Sequence, residues 1–379
     1  MYENTPPVRS GLSYRLSDLG FKYVSLLFPA TMLYIILTDG DGCGDLPRDF
    51  KFFPIAGLCA LVLALVWCFI DRQRKDYSRL RYGFQILTRY FLAFIILQYG
   101  FAKVLDMQFN PSLAGLDTRA ADMRPMTVAW TFFGYSYYYE FFIGISQILA
   151  GLLLVFRRTS TLGAILMVTI MANIVFVNFA FDVCVKFFSS TYLVMSVYLL
   201  IDDATRLVNV LLLNKPAAAR VYPVMFRTVR ARRIFAIVSG LVLLLALAYP
   251  TYKTYASAKE YGVGNHTALY GVWTVDSVHS SRDSINLLLN TDSAGWKKLL
   301  LEDFGNAAFK SWKNTRNRYY YKVDTAGRTL TLNSYYPDTV SLLKLNYWRD
   351  KDTLLLHGLY NTDSVRMRMH LERKYFIRN

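Results

Sequence analysis

The stretch "DSVRMRMHLER" (363–373) decides one half of the fold. Val365, Met367, Met369 and Leu371 fall on one parity, and Arg366, Arg368, His370 and Glu372 on the other. A period of two belongs to a strand with one buried face, because successive side chains point to opposite sides. Reading backwards, "DTLLLHGLYN" (352–361) and "GRTLTLNS" (327–334) are further short strands bounded by turn residues. "NRYYYKVDTAGRTLTL" (317–332) reads as a hairpin around Thr325–Ala326–Gly327. About eight strands fit into roughly 115 residues, the scale of a small antiparallel barrel or sandwich that must close or cover its edges.

Upstream the pattern changes. The chain has 379 residues, 54% hydrophobic and 16% aromatic, well above an ordinary soluble domain. Its apolar residues gather in seven runs, roughly 20–38, 53–70, 86–104, 132–156, 161–182, 184–201 and 233–250. Runs of about 18 or more apolar residues have membrane length. The expected fold is therefore an α-helical polytopic membrane bundle of about seven transmembrane helices, followed by a C-terminal all-β antiparallel barrel or sandwich. Four segments follow: 1–83 with a transmembrane hairpin, a four-helix bundle over 84–205, a basic linker and last helix over 206–250, and the β-rich domain over 251–379.

The net charge of +16 is placed in a way that argues against nucleic acid. Arg72, Arg74, Lys75, Arg79 and Arg81 lie between the second and third runs, Arg157 and Arg158 between the fourth and fifth, and Arg206 to Arg233 between the sixth and seventh. The alternate loops are poor in bases, and the first, "TDGDGCGDLPRD" (38–49), is mostly acidic. This positive-inside pattern places the N-terminus in the cytoplasm and, after seven crossings, the β domain outside. In a bacterial inner membrane that side is the periplasm, and the basic loops face anionic lipid. The first run ends in "LTDGDG" without a small-x-small cleavage site, so it reads as an uncleaved helix. Cys59 and Cys68 fall inside the second run as packing residues, while Cys43 and Cys184 share the outer side, where they either form a disulfide or stay free thiols.

Several chemistries lack their residues. The histidines, His266, His279, His357 and His370, all lie in the tail. The bundle therefore cannot ligate haem through two histidines or run a histidine proton relay. There is no GxGxxG in a βαβ context, no Walker loop, no nucleophile elbow and no HExxH.

What the bundle does carry is a set of polar residues at membrane depth. Asn178, Asp182 and Lys186 are spaced four apart, which on a continuous helix shares one face. With helices alternating in direction, Gln98 and Lys103 on the third run, Glu140 on the fourth, Asn178 and Asp182 on the fifth and Lys186 opening the sixth fall in one outer layer, with Gln147 and Asn173 nearer mid-membrane. One reading is an outward-facing pocket, with Glu140, Lys103 and Asp182 as chemical groups and Gln98, Asn178 and Lys186 as binding groups. The other is interhelical glue, with the two lysines reaching to the interface. Arg89, on the cytoplasmic side of the third run, serves as an anchor or contacts an anionic ligand. Tyr135, Tyr137, Tyr138 and Tyr139 form an aromatic belt at the outer interface.

The segments "RYFLAFIILQYGFAKVLDMQF" (89–109), "GYSYYYEFFIGISQILAGLLLVFRRTSTLGA" (134–164) and "NFAFDVCVKFFS" (178–189) resemble the DoxX-like superfamily over about 84–205. An early helix there carries an arginine and a Gly-x-x-Lys pattern, here Arg89 and Gly100 to Lys103. The resemblance implies a four-helix membrane bundle and quinone-linked redox chemistry with a partner protein, the quinone head held by Lys103, Gln98, Asn178, Lys186 and Arg89 and the proton handled by Glu140. The Gly-x-Trp of "LYGVWTVDSV" (269–278) resembles the opening of lipocalin barrels, which implies a barrel base closed by Trp273 with Arg373 or Arg366 over it. Three functions remain at this point: a quinone-linked redox component, a non-enzymatic scaffold presenting the β domain to envelope partners, and a small-solute transporter.

Overall fold

The computed structural model describes residues 12–38, 45–71, 77–109, 112–219, 223, 228–261, 266–280, 295–334, 341–360 and 363–373. The helices, in chain order, are α1 (Leu12–Thr38), α2 (Pro47–Ile70), α3 (Ser78–Val104), α4 (Leu113–Leu116), α5 (Pro125–Gly134), α6 (Tyr137–Val155), α7 (Ser160–Ala180), α8 (Lys186–Leu200), α9 (Ala204–Leu211) and α10 (Val229–Tyr261). The strands are β1 (Gly271–Ser280), β2 (Trp296–Leu301), β3 (Asn306–Ser311), β4 (Arg316–Asp324), β5 (Thr329–Ser334), β6 (Ser341–Asp350), β7 (Thr353–Tyr360) and β8 (Asp363–Leu371). They group into two units, Met1–Phe101 with Ile143–Pro250, and Ala102–Phe142 with Thr251–Asn379. The division falls inside α3 and α6, so the excursion between these helices belongs with the β domain.

Five described helical spans are long and apolar enough to cross a membrane: Leu16–Thr38, Pro47–Ile70, Ser78–Val104, Tyr137–Val155 and Ser160–Ala180. Of the seven expected crossings, five are found among the described residues. The sixth run yields only the 15 residues of α8, about 22 Å at 1.5 Å per residue, short of a hydrocarbon core of about 30 Å. The seventh run lies within α10, whose side chains are only partly described.

The bundle core is built by one face each of α1, α3, α6, α7 and α8. Phe28, Met32 and Ile35 meet Leu92 and Ile96, Leu154, Met167 and Met171, and Phe188, Tyr192 and Met195. Small residues set the closest approaches. A Cβ on Gly163 of α7 would lie 2.7 Å from the Leu154 backbone nitrogen of α6, and one on Gly100 of α3 would lie 3.0 Å from the Gly144 carbonyl of α6. Without a hydrophobic drive between helices in lipid, such backbone proximity carries much of the association. α2 leaves Leu58, Val62 and Leu65 exposed, as a lipid-facing helix does.

The tail closes into a barrel in sequence order, β1 to β8, every neighbour antiparallel and β8 paired back to β1. Closure removes the edges that an open sheet would leave unpaired. The alternation read in 363–373 holds: Val365, Met367 and Met369 are fully buried, and Arg366, Arg368 and His370 face outward. The β4–β5 hairpin turns where expected, with the Asp324 carboxylate accepting from the Ala326 and Gly327 amides. Leu330, Leu332, Leu345, Leu354, Leu356, Val365, Met367 and Met369 each show no accessible surface. A chamber able to hold even one water would leave its lining accessible, so at these residues the barrel is filled by its own side chains, as eight strands permit. Trp273 is fully buried and donates from Nε1 to the Leu269 carbonyl at 2.8 Å. The cation over its ring is Arg349 at 5.3 Å, not Arg373 or Arg366; Arg373 pairs with Asp352 at 2.7 Å.

Because the Gly163 contact is with backbone, no side-chain rotation can relieve it. Gly163→Leu is expected to lower stability in detergent by about 1–3 kcal/mol or more, while Gly240→Ala, which meets nothing within 4 Å, leaves it unchanged or slightly raised. Thermal unfolding of the two variants against the parent checks this.

Candidate functional site

The excursion between α3 and α6 is bound to the barrel wall by a buried charge cluster. Ser112 caps α4 by accepting from the Gly115 amide at 3.0 Å. This directs Leu113 onto Val272, Leu300 and Ala308, on the outward face of β1, β2 and β3. The Ala114 amide, freed at the helix start, donates to Glu302 Oε1 at 2.6 Å. Asp117 then takes Lys298 Nζ on Oδ1 at 2.8 Å and Lys310 Nζ on Oδ2 at 2.6 Å. Lys310 also donates to the Asp117 carbonyl at 2.9 Å. Lys298 is shared with Glu372 at 2.8 Å, and Arg316 donates to Thr118 Oγ1 at 2.8 Å. Asp117, Lys298 and Lys310 are all buried. Burial pushes the Glu302 carboxyl up from its usual value, opposed by the Ala114 amide.

Sequence reasoning singled out none of these residues. A signal was present in "KLLLE" (298–302): three consecutive leucines break the period of two and mark a strand covered on both faces. It is the 112–118 part of the excursion that makes these contacts with the barrel.

The polar layer expected in the bundle separates into distinct sets. Glu140, fully buried in the first turn of α6, accepts the Phe109 amide at 3.3 Å. Lys103, in the last turn of α3 and 4% exposed, donates to Gln108 Oε1 at 2.8 Å and lies 5.3 Å over the Phe109 ring. Phe109 packs against Trp130 and Phe133, with centroids 5.3 and 5.1 Å away. Lys103 and Glu140 thus share one aromatic-walled turn, 108–109, and both have further interactions.

Asn178 is buried and donates to Ser189 Oγ at 3.0 Å. Asp182 and Lys186 do not continue its helical face. α7 ends at Ala180, and Asp182 sits in the turn beyond it at φ +50° with an 80% exposed side chain. Lys186 opens α8 and pairs with Asp182 at 2.7 Å and Asp45 at 3.4 Å. Asp45 also accepts the Lys186 and Phe187 amides at 3.2 and 3.3 Å, so it caps α8 from another loop. Sequence reading passed over Asp45. Cys184 is disulfide-bonded; Cys59 and Cys68 are free, and Cys43 lies outside the described residues. Gln147 is buried, Gln98 half-buried and Asn173 exposed. Arg89 is buried against the end of α6. Among the described residues no group of three or more His, Cys, Asp or Glu side chains is placed to hold a metal ion.

No family model matches the chain, and no solved structure matches it. The protein described as "Uncharacterized protein YwoB" from Bacillus subtilis (strain 168) is 42% identical over 122 residues, 32% of this chain and 78% of that protein.

Two outcomes follow for the cluster. Asp117→Asn leaves two buried lysines facing a neutral amide, and breaking a buried pair costs about 3–5 kcal/mol; the barrel should lose that much in denaturant titrations. For Glu302, a raised folded pKa means the folded state holds the proton more tightly than the unfolded chain. Its contribution is therefore largest below 4.5, the ordinary value, and is lost as pH rises through the folded pKa. Glu302→Gln keeps the acceptor for Ala114 and should flatten that part of the stability–pH curve.

Proposed function

This chain belongs to the family of Bacillus subtilis YwoB, and from that premise we propose that it is a membrane-anchored scaffold whose helical bundle holds the C-terminal barrel for partner binding in the bacterial envelope. The observation that carries this reading is the Asp117 cluster. The 112–118 segment, which lies in the chain between two helices of membrane length, is fastened to the barrel wall by buried ion pairs, so the barrel unit joins the helical chain at more than one point. The positive-inside charge pattern supports a cytoplasmic N-terminus and a periplasmic barrel. The filled interior argues for recognition on the barrel's outer surface, where Trp348 and Leu359 are exposed.

A second reading, the DoxX-type quinone-linked component, is favoured by one specific observation, the buried Lys103 and Glu140 beside Phe109. Intramembrane ionisable groups of this kind mark functional sites by default. On this reading Lys103 donates to a quinone carbonyl and Glu140 exchanges the proton, with the electrons coming from a partner protein.

One preparation separates the two. The full chain is purified in mild detergent, its visible spectrum recorded and its small molecules extracted. The scaffold reading expects phospholipid alone, the same in Lys103→Met and Glu140→Gln, together with reproducible photo-cross-linking of one envelope protein from position 348. A stoichiometric quinone lost in both variants moves the assignment to the redox site, and no cross-linked partner removes the scaffold.

A further inference from the structure

Arg89 is 8% exposed, and a guanidinium stays charged throughout the accessible pH range. Its protein partners are few. Nη2 donates to the Val155 carbonyl at 3.5 Å, the long limit of a hydrogen bond. Nε is buried with no hydrogen-bond partner, and the Tyr90 ring lies 5.5 Å from the guanidinium carbon. No ion pair forms at Arg89 among the described residues. Other arginines near this end of the bundle are matched: Arg81 pairs with Asp202 and Arg206 with Asp203.

Val155 is the last residue of α6, so its carbonyl is a free acceptor at the negative end of the helix dipole. That is a fraction of a counter-charge. The carboxylates at this end of the bundle are engaged elsewhere, Asp202 by Arg81 and Gln85 and Asp203 by Arg206 and Thr161, and the α6–α7 turn adds bases. Arg157, in the α6–α7 turn, lies 5.9 Å over the Tyr82 ring, and Tyr82 is seven residues before Arg89 on the same face of α3. Arg158 follows in the same turn. A buried cation with one marginal acceptor and basic neighbours is costly unless an anion completes it. The level is that of the turn between two membrane-spanning helices, where headgroups lie.

We propose that Arg89 is the buried anchor of a binding site for a phosphate group between α3 and the α6–α7 turn, with Arg157 as its outer cation. Guanidinium suits a phosphate because its donors pair with two oxygens at once. The phosphate belongs either to an anionic phospholipid or to a soluble anion, and the test distinguishes them.

The full chain in neutral detergent is titrated with dioleoylphosphatidylglycerol, with dioleoylglycerol, which has the same chains and no phosphate, and with inorganic phosphate, reading the thermal midpoint. Phosphatidylglycerol should raise the midpoint saturably and dioleoylglycerol should not. Arg89→Gln should raise the half-saturating concentration about tenfold or more, Arg89→Lys should fall between, and Arg233→Gln, an exposed arginine, should match the parent. A shift with inorganic phosphate that Arg89→Gln abolishes assigns the site to a soluble anion; a shift with the phospholipid alone assigns it to lipid. The proposal is overturned if no phosphate-bearing probe stabilises the parent, or if Arg89→Gln responds as Arg233→Gln does. Should Arg89→Gln fail to fold, an Arg89→Lys half-saturation equal to the parent's overturns it as well.

Discussion

A polar group withdrawn from water must find a partner within the protein, and this constraint shapes both halves of the chain. In the apolar spans the backbone pairs within each helix, and several of the polar side chains that remain find partners within the bundle. Lys22 bonds Asp18 at 2.8 Å, Asp49 accepts from Tyr34 and from the Leu46 amide, and Asn178 bonds Ser189. In the tail the same demand is met by closing β8 on β1, so that every strand has two neighbours.

The Asp117 cluster is where the constraint is most expensive to satisfy. Desolvating one carboxylate and two ammonium groups offsets much of their attraction, so such a cluster contributes less to stability than to uniqueness. It specifies one seating of the 112–118 segment on β2 and β3, because any other register leaves charges buried and unmatched. The apolar contact of Leu113 with Val272, Leu300 and Ala308 is tolerant of small shifts, whereas the paired lysine contacts at 2.8 and 2.6 Å are not. Arg89 presents the converse case, a buried charge that the chain itself leaves largely unmatched.

Local patterns in the sequence proved legible where one periodicity ruled a whole element. The parity of 363–373 and the hairpin at 325–327 became strands and a turn as read, and five of the seven apolar runs became helices of membrane length among the described residues. Legibility failed at the junctions. The four-residue spacing of Asn178, Asp182 and Lys186 suggested one helical face, but the helix stops at Ala180 and a new one starts at Lys186. A regular spacing carries no information about where a helix ends unless a cap or breaker marks it, and here the cap, Asp45, comes from a distant loop. The cation over Trp273 was sought on the last strand, yet Arg349 arrives from β6, since barrel closure brings strands together that are far apart in sequence.

By itself the sequence determined that a run of apolar helices precedes a β-rich tail, and which face of the 363–371 strand points inward, because these depend on composition and period along the chain. Only the tertiary structure decided which charges meet. Asp117 and Lys310, or Glu140 and the Phe109 amide, are separated by long stretches whose path no local rule constrains. Their pairing follows from packing, where the cost of a buried unpaired charge selects one arrangement among the many that the pattern allows.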